Sequence, residues 1–136
     1  MRILAIDLGD ARTGIAAGDD ITHNVEPLKV IQEWDAEARF AKVLREVDTF
    51  GPDRILIGFP LNMDGTEGPR AKASRVFAQL LEQKTGIETT LQDERLTSFA
   101  ADEALKGSGR TRKSKKRIQD AIAAAELIRD FLGSSA

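Results

Sequence analysis

Three acidic residues stand in segments of the sequence where an isolated carboxylate is unexpected. Asp7 interrupts the apolar run 3–8, which has the pattern of a strand buried on both faces. Glu94 directly follows an alternating segment that ends at Gln92 and Asp93, and Asp120 lies in an alanine-rich helical stretch. A buried charge without a partner costs roughly several kcal/mol, so each of these acids requires a compensating group.

The same three acids predict a site for a hard cation. Carboxylates brought together from buried elements repel one another and stay partly protonated unless a cation lies among them. The chain has one histidine and no cysteine, so its available ligands are oxygen atoms, which select Mg²⁺ or Mn²⁺. Two such ions about 4 Å apart would activate a water and stabilise the leaving oxygen of a phosphodiester.

Each acid also has a purely structural interpretation. Asp7 could serve as a turn or capping acid, and Glu94 as the ion-pair partner of Arg95. Asp120 lies in the first turns of its helix, where the helix dipole favours a negative charge. The combination of the three, rather than any one of them, favours the metal site.

The elements that must position these acids follow from the hydrophobic periodicity. The first three predicted strands read as a meander, and the later strands alternate with helices. We therefore expect an α/β fold with a mixed five-stranded sheet and helices on both faces. The first helix includes Trp34 in its apolar stripe, which predicts a core or stapling role for that side chain. The predicted strands are 3–8, 13–19, 25–31, 54–59 and 87–92, and the predicted helices are 33–50, 69–84, 99–105 and 116–132.

The helix that opens at Pro69 carries three cations, Arg70, Lys72 and Arg75, in its first two turns. Cations are unfavourable there because the helix dipole places positive charge at the N-terminus. They would be useful if they shared a phosphate with the free N–H groups of that turn. Solvated surface charge is the alternative interpretation.

A basic segment precedes the last helix. Lys106–Arg117 contains seven basic residues and no acid, in a chain whose net charge is −2. Such segregation is typical of a polyanion partner, although a solvated loop has the same composition. We expect one domain, 1–136, with a flexible basic loop at about 106–116 and a frayed tail at 133–136.

Other features of the composition exclude several classes of protein. The chain has no apolar stretch long enough to cross a bilayer and no pattern of a secretory leader. Without cysteine there is no disulfide or thiol chemistry, which fits a cytoplasmic protein. Aromatic residues make up 5% of the chain, with no tyrosine, which argues against a platform that stacks single-stranded bases.

Four short motifs occur in order along the chain. Asp7 opens D-L-G-D-A-R-T-G-I-A, and Gly58 opens G-F-P-L-N-M-D-G-T-E-G. Asp93 opens D-E-R-L-T-S, and Asp120 opens D-A-I-A-A. With these motifs the chain resembles the YqgF/RuvX family of Holliday junction resolvase-like proteins, within the ribonuclease H-like superfamily. The resemblance covers nearly the whole chain, although its last helix is more polar than the family pattern.

The resemblance implies a ribonuclease H-like fold and a metal-dependent nuclease of the two-metal-ion type. It links the chain to ribosome biogenesis, through processing of the 5′ end of pre-16S rRNA. By this resemblance Asp7, Glu94 and Asp120 would be the catalytic residues and would hold Mg²⁺ or Mn²⁺. Asp93 is the alternative ligand to Glu94, because adjacent residues of a strand point to opposite faces.

The resemblance also implies residues that position the nucleic acid through its phosphate backbone. The expected partner is structured RNA, with branched DNA as the other candidate, and both a monomer and a homodimer remain open. The residues expected to bind the nucleic acid are Arg12, Asn62, Arg95, Arg110, Arg112, Lys113, Lys115 and Lys116.

Several functions stay open beside pre-16S rRNA processing. One is a DNA endonuclease that resolves Holliday junctions, and another is a non-catalytic RNA-binding factor in ribosome assembly. A nucleotide-binding module of the actin and hexokinase type also presents D-x-G after its first strand, but it clamps nucleotide between two domains. Catalysis based on His23 has no supporting motif, because no serine elbow occurs near it.

Overall fold

The protein is described here from a computed structural model, which covers residues 1–94 and 112–134. Within these residues five strands and three helices follow one another in the order that the sequence predicts. The strands are β1 Arg2–Asp7, β2 Arg12–Asp19, β3 Val25–Gln32, β4 Arg54–Phe59 and β5 Glu88–Asp93. The helices are α1 Ala36–Phe50, α2 Pro69–Thr85 and α3 Arg112–Ser134.

The five strands form one mixed sheet in the order β3-β2-β1-β4-β5. β1 lies at the centre, pairs antiparallel with β2 and pairs parallel with β4, which in turn pairs parallel with β5. β3 contains Pro27 and forms one edge of the sheet, where a missing N–H is tolerated. Because β1, β4 and β5 run in the same direction, their carboxyl ends lie along one edge of the sheet.

Helices cover both faces of this sheet, as predicted. On one face Leu4 and Ile6 of β1 pack with residues of α1 and α2, among them Val43 and Leu81. On the other face Ile3 and Ala5 of β1 pack against α3. Since side chains alternate along a strand, Asp7 continues the series of Ile3 and Ala5 and points to the face covered by α3.

The start of α1 differs from its predicted boundary. The side chain of Asp35 caps α1 by accepting a hydrogen bond of 2.9 Å from the N–H of Ala38, so α1 begins at Ala36. Trp34 therefore precedes the helix and is 79% exposed, and the predicted core or stapling role for it is wrong. α2 begins at Pro69 after Gly68, as the sequence predicts.

The basic segment is divided differently from the prediction. α3 begins at Arg112 rather than at Lys116, so the stretch 112–116, expected in the loop, belongs to the helix. α3 also continues through Ser134, which shortens the expected tail. The rest of the expected loop, the predicted helix 99–105 and the last two residues lie outside the described residues. Of the helices that are described, none is long and apolar enough to span a membrane.

Candidate active site

Asp7 and Glu94 meet at the carboxyl edge of the sheet although β4 lies between their strands. Asp7 ends β1, and Glu94 follows β5, where its N–H approaches the carbonyl of Phe59 at 3.4 Å. A Cβ on Gly58 would overlap Oε2 of Glu94. The missing side chain at Gly58 therefore opens a path across β4, through which the Glu94 carboxyl reaches and hydrogen-bonds the Asp7 carboxyl.

Burial raises the affinity of both carboxyls for protons. Burial, followed by the charge of Asp7, raises the pKa of Glu94 to about 8. Burial also raises the pKa of Asp7; the hydrogen bond with Glu94 opposes this rise, the charge of Asp120 adds to it, and the charge of Arg70 opposes it. A hydrogen bond between two carboxyl groups needs a proton. At neutral pH the Asp7–Glu94 pair therefore retains one proton and one negative charge.

Asp120 reaches the same region from α3. Gly14 is the register partner of Asp7 in the β1–β2 ladder, and a Cβ on Gly14 would overlap the main-chain carbonyl of Asp120. The bare backbone of Gly14 thus lets α3 lie directly on β2 beside Asp7. Burial raises the pKa of Asp120, while the nearby charges of Arg12 and Arg70 oppose this rise.

One oxygen of Asp120 is buried without a hydrogen bond. Oδ2 lies 3.4 Å from Nε of Arg12, close enough for an ion pair, yet accepts no hydrogen bond from any residue that the structure describes. Buried carboxylate oxygens are normally satisfied, so this atom is an available ligand. Arg12 is 43% exposed, which leaves its guanidinium accessible to a phosphate as well.

The three acids fit a divalent cation in donor type and charge. Their oxygens are hard ligands, and the proton between Asp7 and Glu94 lies where a cation would relieve the same repulsion. In this structure the acids are not yet arranged to bind an ion. Within 1–94 and 112–134, no three acidic or histidine side chains are grouped closely enough to hold one. Ion binding would have to displace that proton and bring the three carboxylates closer together.

The structure distinguishes the two adjacent acids at the end of β5. Asp93 is the last residue of the strand and is exposed, whereas Glu94 is partly buried and faces Asp7. Of the two alternatives left open by the sequence, Glu94 is the one that the fold brings to Asp7. The path over Gly58 places the Glu94 carboxyl in a buried position beside Asp7, and both the burial and the charge of Asp7 raise the pKa of Glu94.

Arg70, in the first turn of α2, lies near the acids, whereas the sequence left it open between phosphate binding and solvated surface charge. Its positive charge opposes the rise in pKa of Asp7, Glu94 and Asp120 alike. An arginine whose charge acts on all three acids lies at the same edge of the sheet. The signal was present in the sequence as a cation at the unfavourable end of a helix.

Asn62 has a structural role in addition to the predicted contact with nucleic acid. Its Nδ2 donates a hydrogen bond of 3.0 Å to Oγ1 of Thr66, and its main-chain N–H donates one of 2.9 Å to the carbonyl of Thr66. These bonds close the loop between β4 and α2. The side chain of Asn62 is exposed, and its amide oxygen faces Gly68 at 3.5 Å from the position of a Cβ there.

The remaining predicted nucleic-acid residues are placed only in part. Arg95 and Arg110 lie outside the described residues. The other four belong to the first turns of α3, the same helix that carries Asp120 two turns later. These four positions are Arg112, Lys113, Lys115 and Lys116.

Comparisons with known proteins agree with this architecture. A family profile described as "RuvX: Holliday junction resolvase" matches residues 1–134. A curated protein of Geobacillus sp. (strain WCH70), named "Putative pre-16S rRNA nuclease", is 38% identical over 136 residues, covering 98% of this chain and 99% of that protein.

Two solved structures share the fold at low sequence identity. The Fowlpox virus resolvase, in complex with Holliday junction DNA, superposes with a TM-score of 0.65 at 12% identity over 99% of both chains. RuvC of T. thermophilus, in complex with a Holliday junction substrate, has a TM-score of 0.61 at 16% identity, covering 100% of this chain and 97% of RuvC. The chain therefore has the ribonuclease H-like fold of these resolvases.

Proposed function

The chain belongs to the RuvX family, and on that premise we propose that it is a metal-dependent nuclease that processes the 5′ end of pre-16S rRNA. The observation that carries the proposal is the cluster at the carboxyl edge of the sheet. There a protonated Asp7–Glu94 pair lies beside Asp120, whose Oδ2 is buried and accepts no hydrogen bond from the described residues. The name of the relatives supplies the substrate, and the site supplies the chemistry.

Asp7, Glu94 and Asp120 would hold the divalent cation, Mg²⁺ or Mn²⁺. When bound, such ions lower the pKa of a coordinated water and neutralise charge on a phosphate that is being cleaved. Because these acids are buried, they are poorly solvated, and this strengthens their interaction with a cation. Loss of the proton shared by Asp7 and Glu94 would free both carboxylates together.

The cations around the acids would hold the phosphate backbone of the substrate. Arg12 lies against Asp120 with its guanidinium partly exposed, and Arg70 lies in the first turn of α2. Both would contact phosphate oxygens, which position a nucleic acid without reading its sequence. The basic residues predicted to bind nucleic acid at the start of α3 would add further phosphate contacts.

A Holliday-junction-resolving endonuclease is the second candidate function. The family description and both solved structures concern Holliday junctions, although fold likeness at 12–16% identity does not assign a substrate. A DNA junction and a folded rRNA precursor both present phosphates at a bent backbone. The same acids would serve either substrate.

The experiment compares cleavage of a pre-16S rRNA fragment and of a four-way DNA junction by the wild-type protein, Asp7→Asn and Asp120→Asn. With Mg²⁺ or Mn²⁺, the wild type should shorten the RNA at its 5′ extension. Both variants should lose cleavage by about 10³-fold or more while they still bind the RNA, because the phosphate-binding cations remain. Cleavage of the junction but not of the RNA would favour the second candidate.

A matched control is Asp48→Asn, which removes a carboxylate from the exposed side of α1. This variant should cleave as the wild type does. If the wild type cleaves neither substrate with either metal, or if Asp7→Asn cleaves normally, the nuclease proposal is wrong.

A further inference from the structure

The loop that joins β4 to α2 presents an exposed apolar side chain and begins at the same carbonyl that binds the N–H of Glu94. Met63 lies in this loop, residues 61–67, and is 81% exposed. A single exposed apolar residue is ordinary on a protein surface. Three properties of the 61–67 loop make Met63 different: its internal bonding, its bracing by α2 and its attachment beside Glu94.

Hydrogen bonds within the loop fix its shape. The N–H of Gly65 donates to the carbonyl of Asn62 at 2.8 Å, and the N–H of Thr66 donates to Oδ1 of Asp64 at 3.0 Å. Gly65 adopts a φ of +87°, a left-handed conformation that favours glycine. Together with the two bonds between Asn62 and Thr66, these contacts hold the tip that carries Met63 in one conformation.

α2 braces the far end of the loop. Arg75 donates two hydrogen bonds to the Glu67 carboxylate, at 3.1 and 3.0 Å, and its guanidinium lies 5.2 Å from the centre of the Phe59 ring. Bidentate pairing of this kind restricts both side chains. The two acids of the loop, Asp64 and Glu67, are thus both hydrogen-bonded within the protein.

The near end of the loop is tied to the acidic cluster. The carbonyl of Phe59 accepts hydrogen bonds from the N–H of Leu61, at 2.9 Å, and from the N–H of Glu94, at 3.4 Å. The 61–67 loop and Glu94 therefore share one anchor point at the end of β4. A nucleic acid with a phosphate at the acids would pass within reach of the loop.

We propose that Met63 is a wedge that inserts between two adjacent bases of the substrate beside the phosphate to be cleaved. Methionine is among the apolar side chains that unstack base steps, and its sulfur makes favourable contacts with aromatic rings. A loop ordered in advance loses little further entropy when it inserts. This inference rests on the proposed nuclease function and adds to it a preference for substrates whose bases part easily.

Such a wedge predicts selection by deformability rather than by base sequence. Continuous duplexes resist unstacking, whereas bulges, branch points and duplex ends already contain weakened steps. The protein should therefore favour bulged or branched substrates of RNA or DNA over unbroken duplexes of equal length. Phosphate contacts alone would bind all of these similarly.

The experiment measures insertion and affinity without relying on cleavage. The full-length protein, in Ca²⁺, is titrated into an RNA duplex with a single bulge, a four-way DNA junction and an unbroken duplex, each carrying 2-aminopurine at the central step. Wild-type protein should raise the fluorescence of the bulged and branched probes and bind them in preference to the unbroken duplex. Met63→Ala should lose the fluorescence rise and about tenfold of that preference.

Two variants serve as matched controls. Met63→Leu keeps an apolar side chain of similar size and should retain most of the signal. Ile21→Ala removes a side chain of equal exposure, 80%, from the β2–β3 turn, at the opposite end of β1 from Asp7. This variant should behave as the wild type in every probe.

The outcomes separate the wedge from the nuclease proposal. If Met63→Ala retains the fluorescence rise, or weakens binding to all three probes equally, the wedge is wrong even if cleavage is observed. If the wild type shows the rise and Met63→Ala loses it while no cleavage occurs with any metal, Met63 inserts between bases, but the nuclease proposal fails and with it the placement of Met63 beside a cleaved phosphate. Failure of the wild type to bind any probe overturns both.

Discussion

Replacing Glu94 with glutamine should change how the stability of the metal-free protein depends on pH. Burial, followed by the charge of Asp7, raises the pKa of Glu94 from its ordinary value of 4.5 to about 8. Because the folded-state pKa lies above the unfolded one, the folded protein binds the extra proton between these values. Stability contributed by Glu94 is therefore greatest below its unfolded pKa and falls as the pH rises towards its folded pKa.

The size of this effect follows from the linkage relation. A folded pKa of about 8 gives a ceiling of roughly 3–4 kcal/mol lost between pH 5 and pH 8. Glu94 is partly solvent-exposed, and screening of its charge reduces the expected loss to roughly 2 kcal/mol. In Glu94→Gln the side chain stays neutral and its amide can donate to Asp7, so this loss should disappear.

The assay is urea denaturation of the wild type and Glu94→Gln in EDTA, at intervals from pH 5 to pH 8.5. The two proteins should be about equally stable at pH 5, and the variant should be more stable by roughly 2 kcal/mol at pH 8. Excess Mg²⁺ at pH 8 should restore stability to the wild type but not to the variant. Parallel pH curves for the two proteins would refute the proposed environment of Glu94.

Two further predictions concern packing and charge. Gly14→Ala should lower the free energy of unfolding by about 1–3 kcal/mol, because its Cβ would overlap the backbone of α3. Gly133→Ala should not lower it, because a Cβ there has open space. Equal melting temperatures for the two variants would contradict this packing. Replacing Arg112, Lys113 and Lys115 with glutamine should weaken RNA binding and flatten its salt dependence by up to about three phosphate contacts. An unchanged salt dependence of RNA binding would show that these residues are solvated surface charges.

The fold was predictable because its central elements have strong patterns. Several elements are specified by local sequence. Apolar runs specify β1 and β4, Pro27 restricts β3 to an edge of the sheet, and Pro69 marks the start of α2. The mixed sheet with helices on both faces follows from their order and is confirmed. The family resemblance, which rested on four motifs, is confirmed by the match over 1–134.

Helix ends were less predictable, because they depend on one or two local bonds. Periodicity placed Trp34 in an apolar stripe, but the Asp35 cap starts α1 two residues later and leaves Trp34 exposed. α3 begins at Arg112 although residues 112–116 lack an apolar side chain to anchor them. Arginine and lysine have good helix propensity, so these residues can extend the helix beyond its apolar stripe.

The sequence predicts which acids belong to the candidate site but not how they are arranged. The sequence shows that Asp7 is buried and costly, yet it cannot show that Glu94 reaches Asp7 by crossing Gly58, since that depends on the parallel register of β4 and β5. Nor does it show that α3 touches β2 at Gly14. The ligand roles of the three acids remain a prediction that only metal binding can test.

Calorimetric titration of Mn²⁺ into the wild type and Asp7→Asn at pH 7, in buffers of different ionisation enthalpy, measures directly whether these acids bind a metal ion. The wild type should bind Mn²⁺ and release about one proton, because the proton shared by Asp7 and Glu94 must leave when the ion enters. Asp7→Asn should lose at least tenfold in affinity. Binding of Mn²⁺ that is equal in the two proteins, or that releases no proton from the wild type, would contradict the account.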